Sequence, residues 1–245
     1  MNPKSHTLFH FTKSGKILRE IIINGFWPRY CLEDVGWLGL AKYDFVAYPM
    51  VCFCDIPLSR VDEHVNFYGE YGIGMTKEWA ESNKLTPILY VAPNNNIPHT
   101  FRAIINLSKN LCEDDQNNIK QQVRYLLAHS KPTEGSMVIS GKVVPKEFHQ
   151  ELEWRYVPKN YDIFDCLYRS EFEDDKILNS ANSKTKESCS IAFEPKDIRY
   201  IFVRKDSDIP GIINFIQQEL DSYPSADLKV LMSRVTSLES ISRDL

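Results

Sequence analysis

Residues 6–25 read HTLFHFTKSGKILREIIING, and this stretch decides the fold. Residues 6–12 predict a short strand that ends at Lys13-Ser14-Gly15. Ile17, Leu18, Ile21 and Ile22 then recur at helical spacing, and Asn24-Gly25 stops the helix because both residues tolerate a left-handed backbone. Strand, helix and turn thus follow within the opening residues. That order marks a mixed α/β chain.

Working outward, residues 26–39 are rich in Gly, Trp, Pro and Arg without periodicity and predict an irregular loop. Residues 48–56 form an apolar run bounded by Pro49 and Pro57, the pattern of a buried strand. A helix is predicted over 58–67. The following run 68–75, punctuated by Gly69, Gly72 and Gly74, is a poor helix, and Thr76 is placed to cap the next one at Glu78 and Trp79. Residues 94–130 read as an inserted helical subregion. Further strands are predicted at 86–91, 138–143, 154–157, 190–193, 198–203 and 228–232, a helix at 209–220, and a mobile polar loop at 174–188. The sum is an α+β chain with a strand-rich core and inserted helices, organised as a single domain over residues 1–245 with the helical insertion around 94–130.

Composition narrows the class. With 29 basic and 33 acidic side chains the net charge is −4, so there is no global positive field for phosphates, and any nucleic-acid contact needs a local patch. Arg29, Lys42, Arg60 and Lys77 are the candidates to line one mouth. No apolar run approaches a membrane span, no secretory leader is evident, and the chain reads as cytoplasmic. Six scattered cysteines, including the C-x-C of Cys52 and Cys54, predict reduced thiols. His64, His129 and His149 lack metal-ligand spacing, which predicts no metal site, and the glycines of 68–75 do not have the spacing of a dinucleotide fingerprint.

Two clusters could carry chemistry: His10 with Thr12 at the end of the first strand, and Glu151 with Glu153. Glu151 and Glu153 on a strand would point to one face, where two close carboxylates raise the pKa of at least one. The structural alternative pairs them with Arg155, or with another strand's lysines, on a solvated face. Tyr68 and Tyr71, flanking the glycines, could stack on a ring or base, or pack an ordinary turn.

Three pieces carry a resemblance: His10-Phe11-Thr12 followed by Leu18, Ile22 and Gly25; Met50-Val51-Cys52-Phe53-Cys54-Asp55-Ile56-Pro57-Leu58-Ser59; and Glu151-Leu152-Glu153-Trp154-Arg155-Tyr156. On these the chain resembles the abortive-infection Gi family of bacterial phage-defence proteins, whose members are described as antitoxins. The same pieces are similar to DarT-type ADP-ribosyltransferases.

The second resemblance implies an ADP-ribosyltransferase-like core acting as a toxin. NAD would be the co-substrate, and a macromolecule, with nucleic acid (RNA or DNA) favoured, the acceptor. It implies Glu153 as catalytic carboxylate with His10 beside it, and His10, Thr12, Tyr68, Tyr71 and Arg60 as the residues that hold NAD. On that reading Glu153→Gln removes transfer and spares the fold. The segment 94–130 has no counterpart in that pattern, and Trp154-Arg155-Tyr156 stands where it runs aliphatic. The first resemblance implies a catalytically inactive antitoxin-type protein that neutralises a neighbouring toxin. Either way a cognate toxin or antitoxin encoded nearby is the implied partner.

Overall fold

The Ser14 hydroxyl accepts the Ile17 amide, and Gly25 at φ 76° donates its N–H to the Ile21 carbonyl, so the first helix is bracketed at both ends. A Cβ on Gly25 would lie 2.4 Å from the Ile191 carbonyl oxygen, so only glycine fits this stop. The computed structural model describes residues 6–40, 43–139 and 141–244. Among them the chain opens with β1 (Thr7–Thr12), α1 (Gly15–Asn24), β2 (Arg29–Asp34), β3 (Phe45–Cys54) and α2 (Val61–Tyr68). Next come β4 (Tyr71–Thr76), α3 (Lys77–Ser82), β5 (Thr86–Pro87), β6 (Leu89–Val91), α4 (Ile97–Ser108) and α5 (Glu113–Ala128). β7 (Ser130–Pro132), β8 (Glu134–Ile139), β9 (Lys142–Glu147), β10 (Glu153–Tyr156), β11 (Leu167–Tyr168), α6 (Arg169–Phe172) and α7 (Asp175–Cys189) follow. The chain finishes with β12 (Ile198–Val203), α8 (Ile209–Glu219), α9 (Ser225–Met232), β13 (Val235–Ser237) and α10 (Leu238–Asp244). The fold is mixed α+β.

These elements form two compact units, each assembled from separated stretches of chain. The first comprises residues up to 26, 52–86 and those from 191 on. Its sheet runs β13-β12-β4-β1, with the end of β3 antiparallel to β1 at Phe9↔Cys54. β1 and β12 both lie antiparallel to β4, and β12 is parallel to β13.

The glycines of β4 are explained by their neighbours. Gly74 sits between Phe9 and Tyr200, and Gly72 between Phe11 and Phe202. A Cβ at Gly72 would come within 2.7 Å of the Phe11 ring, and one at Gly74 within 2.9 Å of the Phe9 ring. Rings from the flanking strands close over the bare strand, Phe9 to Phe202 at 5.6 Å and Phe11 to Phe202 at 5.9 Å. Val61 of α2 and Leu238 of α10 complete this core. Thr76 then caps α3 by accepting the Trp79 amide at 3.2 Å.

The second unit comprises residues 27–51 and 87–190. β2 and β11 each pair antiparallel with β3, and Tyr30, Ala47, Leu167 and Ala181 form a core beneath α7. β6 and β7 pair in parallel, and β8 with β9 makes a hairpin. α4 and α5 form the helical pair of the segment 94–130.

Several local expectations are corrected. Residues 174–188 are helical, not a mobile loop: Asp174 caps the first turn, and small side chains at Ala181, Thr185 and Cys189 make the buried face. The stretch 26–39 contains β2, because six of its residues find register partners on β3. Residues 228–232 lie in helix α9 rather than a strand. The strand expected at 190–193 reduces to an isolated bridge between Phe26 and Ile191. As expected, none of the six cysteines, all among the described residues, forms a disulfide. Among the described residues, no helix is long and apolar enough to cross a membrane, and no group of three or more His, Cys, Asp or Glu could hold a metal ion.

Candidate functional site

His10 and Thr12 alternate with Phe9 and Phe11 along β1, so the two pairs project to opposite faces. His10 lies among aromatic rings, 5.3 Å from Phe26 and 5.5 Å from Phe53. Its Nδ1–H donates to the Cys52 carbonyl at 2.8 Å, which leaves Nε2 as the acceptor nitrogen of a neutral ring. Burial lowers its pKa below 6.5, against the opposing pull of that hydrogen bond.

A pH dependence follows. Between the lowered folded value and 6.5 the unfolded chain binds a proton that the folded chain refuses, so stability falls as pH drops through this window. His129 contributes with the same sign, its pKa also lowered by burial. Chemical denaturation from about pH 7 to about pH 5 should show wild type losing more stability than His10→Gln. Equal losses would show that His10 is not held neutral.

The residues expected to hold NAD do not share one face of β1. Thr12 lies opposite Tyr71, whose hydroxyl donates to Asp208 at 3.3 Å. Tyr68 instead packs against the core built on Phe9 and Phe11, stacked on His64 at 4.4 Å, at the end of the helix that Arg60 heads. Tyr68 thus packs on the Phe9 and Phe11 side of β1, whereas His10 and Thr12 project to the other. Gly69 at φ 116° closes that helix, where a Cβ would meet the Thr12 carbonyl oxygen at 2.3 Å. Of the basic candidates, Lys77 is paired with Asp55 at 2.6 Å, Arg29 lies over the Trp27 ring in the second unit, and Lys42 is outside the described residues.

Glu153 belongs to the second unit, whereas His10 and Thr12 belong to the first. It starts β10 and sits inside a buried ionic cluster. Arg155 Nε donates to Glu153 Oε1 at 2.7 Å, and Arg155 Nη2 to Oε2 at 3.1 Å. Lys131 Nζ reaches the same Oε2 at 3.1 Å. Arg155, fully buried, also donates to Glu33 at 2.8 Å and to the Ala128 carbonyl at 2.7 Å. Lys131 lies 3.7 Å from Glu33 and 4.0 Å from Glu151, and Lys146 binds Glu151. Three carboxylates (Glu33, Glu151, Glu153) thus face three cations (Lys131, Lys146, Arg155), and the cluster is neutral.

Charges can be buried only when paired in this way. Burial alone would lower the Lys131 ammonium, but Glu153 and Glu33 outweigh it and hold its pKa above the ordinary lysine range. Burial and the Glu33 carboxylate push the neighbouring Cys31 thiol up to about 11, the environment of an unreactive thiol.

Glu151 and Glu153 meet on Lys131, but not by sharing a strand face. Glu151 ends a 3-10 turn, and Leu152 takes a left-handed backbone, φ 46° and ψ 53°, before β10 begins. The Glu153 amide donates to the Tyr90 hydroxyl at 2.9 Å, and its carbonyl accepts from Ile88, so the backbone is fixed as firmly as the carboxylate. Glu33, Lys131 and Lys146 carry no motif in the sequence. Arg155 and Glu33 are 122 residues apart, and only the fold brings them together.

The family described as "Putative abortive phage resistance protein AbiGi, antitoxin" matches residues 24–204. The chain belongs to this abortive phage resistance family. It is similar to an abortive phage resistance protein AbiGi of Lactococcus lactis subsp. cremoris, 28% identical over 249 residues, covering 89% of this chain and 99% of that protein. No solved structure matches the chain.

Proposed function

We propose that this chain is the antitoxin-type member of a two-component phage-defence pair: a binding protein that neutralises a toxin encoded beside it. The observation that carries this reading is the occupation of Glu153. Both carboxylate oxygens are taken by Arg155 and Lys131, at a side chain only 6% exposed. A carboxylate needed to stabilise a sugar cation must face that cation, and here it neutralises two of the protein's own.

The packing of Tyr68 on the face away from His10 and Thr12 supports the same reading, as does the antitoxin description of the family. ADP-ribosyl transfer from NAD is the competing activity. Mixing the purified chain with the product of the adjacent gene should give a stoichiometric complex on size exclusion. The chain alone should release no nicotinamide from NAD in the presence of RNA, DNA and protein. Nicotinamide release that requires Glu153 would overturn the proposal.

A further inference from the structure

Resting on the antitoxin reading, we infer that the toxin docks on the helical pair of the second unit, over the stripe Ile104, Leu107 and Leu111 and the adjoining acidic turn. One side of α4 is anchored. Phe101 is buried edge-on to Trp37 at 5.9 Å, Ser108 is buried, and Arg102 donates to the Leu38 carbonyl.

The other side is bare and apolar. Ile104, Leu107 and Leu111 are 38%, 69% and 45% exposed, spaced three and four residues apart. Leu111 is held next to the helix end, since Asn110 N–H donates to Leu107 O and Leu111 N–H to Ser108 O. Single exposed leucines are ordinary, but Ile104 and Leu107 lie one turn apart on α4, and Leu111 follows in the turn that leaves it, which makes an apolar edge of the kind that enters a partner's groove.

The charge beside the stripe identifies the chemistry of the occupant. The chain turns directly from Leu111 into Glu113, Asp114 and Asp115, all exposed in the first turn of α5. The helix dipole accounts for carboxylates at that position, but not for the bare leucines next to them. Together they fit a partner surface with an apolar groove rimmed by lysine or arginine, in which the leucines hold the complex and the acids steer its formation.

The test uses the full chain and the product of the adjacent gene, with binding kinetics and growth rescue read in parallel. Leu107→Asp should weaken binding at least ~30-fold and abolish rescue while the melting temperature stays at the wild-type value. The triple variant Glu113→Gln, Asp114→Asn and Asp115→Asn should slow association about tenfold at low salt, change dissociation little and flatten the salt dependence. If wild type and Leu107→Asp bind and rescue equally, the surface is wrong and the antitoxin reading stands. If wild type neither binds nor rescues, the antitoxin reading itself fails. A wild-type chain that self-associates and becomes monomeric in Leu107→Asp would assign the stripe to a second copy and overturn the inference.

Discussion

Replacing Arg155 with alanine is expected to cost about 3–5 kcal/mol, the usual penalty for removing one partner of a buried ion pair. Its guanidinium is fully buried and donates to Glu153, Glu33 and the Ala128 carbonyl. Without it, three acceptors lose donors that water cannot replace, and the cluster carries an unbalanced negative charge. For a chain of this size that loss lowers the melting temperature by about 6–20 °C. Thermal melting at neutral pH checks the figure. A variant that melts within about 2 °C of wild type would show that the cluster does not hold the second unit together.

The second large effect concerns Glu153→Gln. The sequence reading expects this variant to spare the fold, because the amide keeps the carboxylate's size. The structure reverses that expectation. One Gln oxygen can still accept from Arg155 or Lys131, but the amide NH2 must face the other donor, and Glu33 and Glu151 are left as the only carboxylates against three cations. The expected cost is roughly 2–3 kcal/mol.

Adding Arg155→Met to Glu153→Gln should cost clearly less than the two single changes summed, since residues in one ionic network couple strongly. Additive costs, with Glu153→Gln as stable as wild type, would return Glu153 to the list of free carboxylates.

These expectations mark what the sequence could disclose. The strand, helix and stop of residues 7–25 are legible because the signals are local: a short run ended by Lys13-Ser14-Gly15, an i, i+3, i+4 stripe, and the Asn24-Gly25 stop. Helix α7 was hidden because its buried face is Ala181, Thr185 and Cys189, too small and polar to register as a stripe. β2 was hidden because its extended form comes from pairing with β3 rather than from its own residues. Residues 228–232 are too short a run for periodicity to separate helix from strand.

At the site, the pairing of Glu153 with Arg155 or with a lysine of another strand was legible as one of two alternatives, but on a solvated face, whereas the cluster is buried. Lys131, which decides between them, is a lone lysine between Ser130 and Pro132 in a three-residue strand, and nothing local marks it. Likewise the alternation of β1 places His10 and Thr12 on one face. Where Tyr68 and Arg60 lie depends on how α2 packs.

The most direct measurement of the central claim is growth of bacteria carrying this chain alone, the adjacent gene alone, or both under separate inducers. The chain alone should be harmless, its neighbour should arrest growth, and co-expression should restore it. Growth arrest by this chain alone, relieved by a Glu153→Ala variant that still accumulates as folded protein, would contradict it.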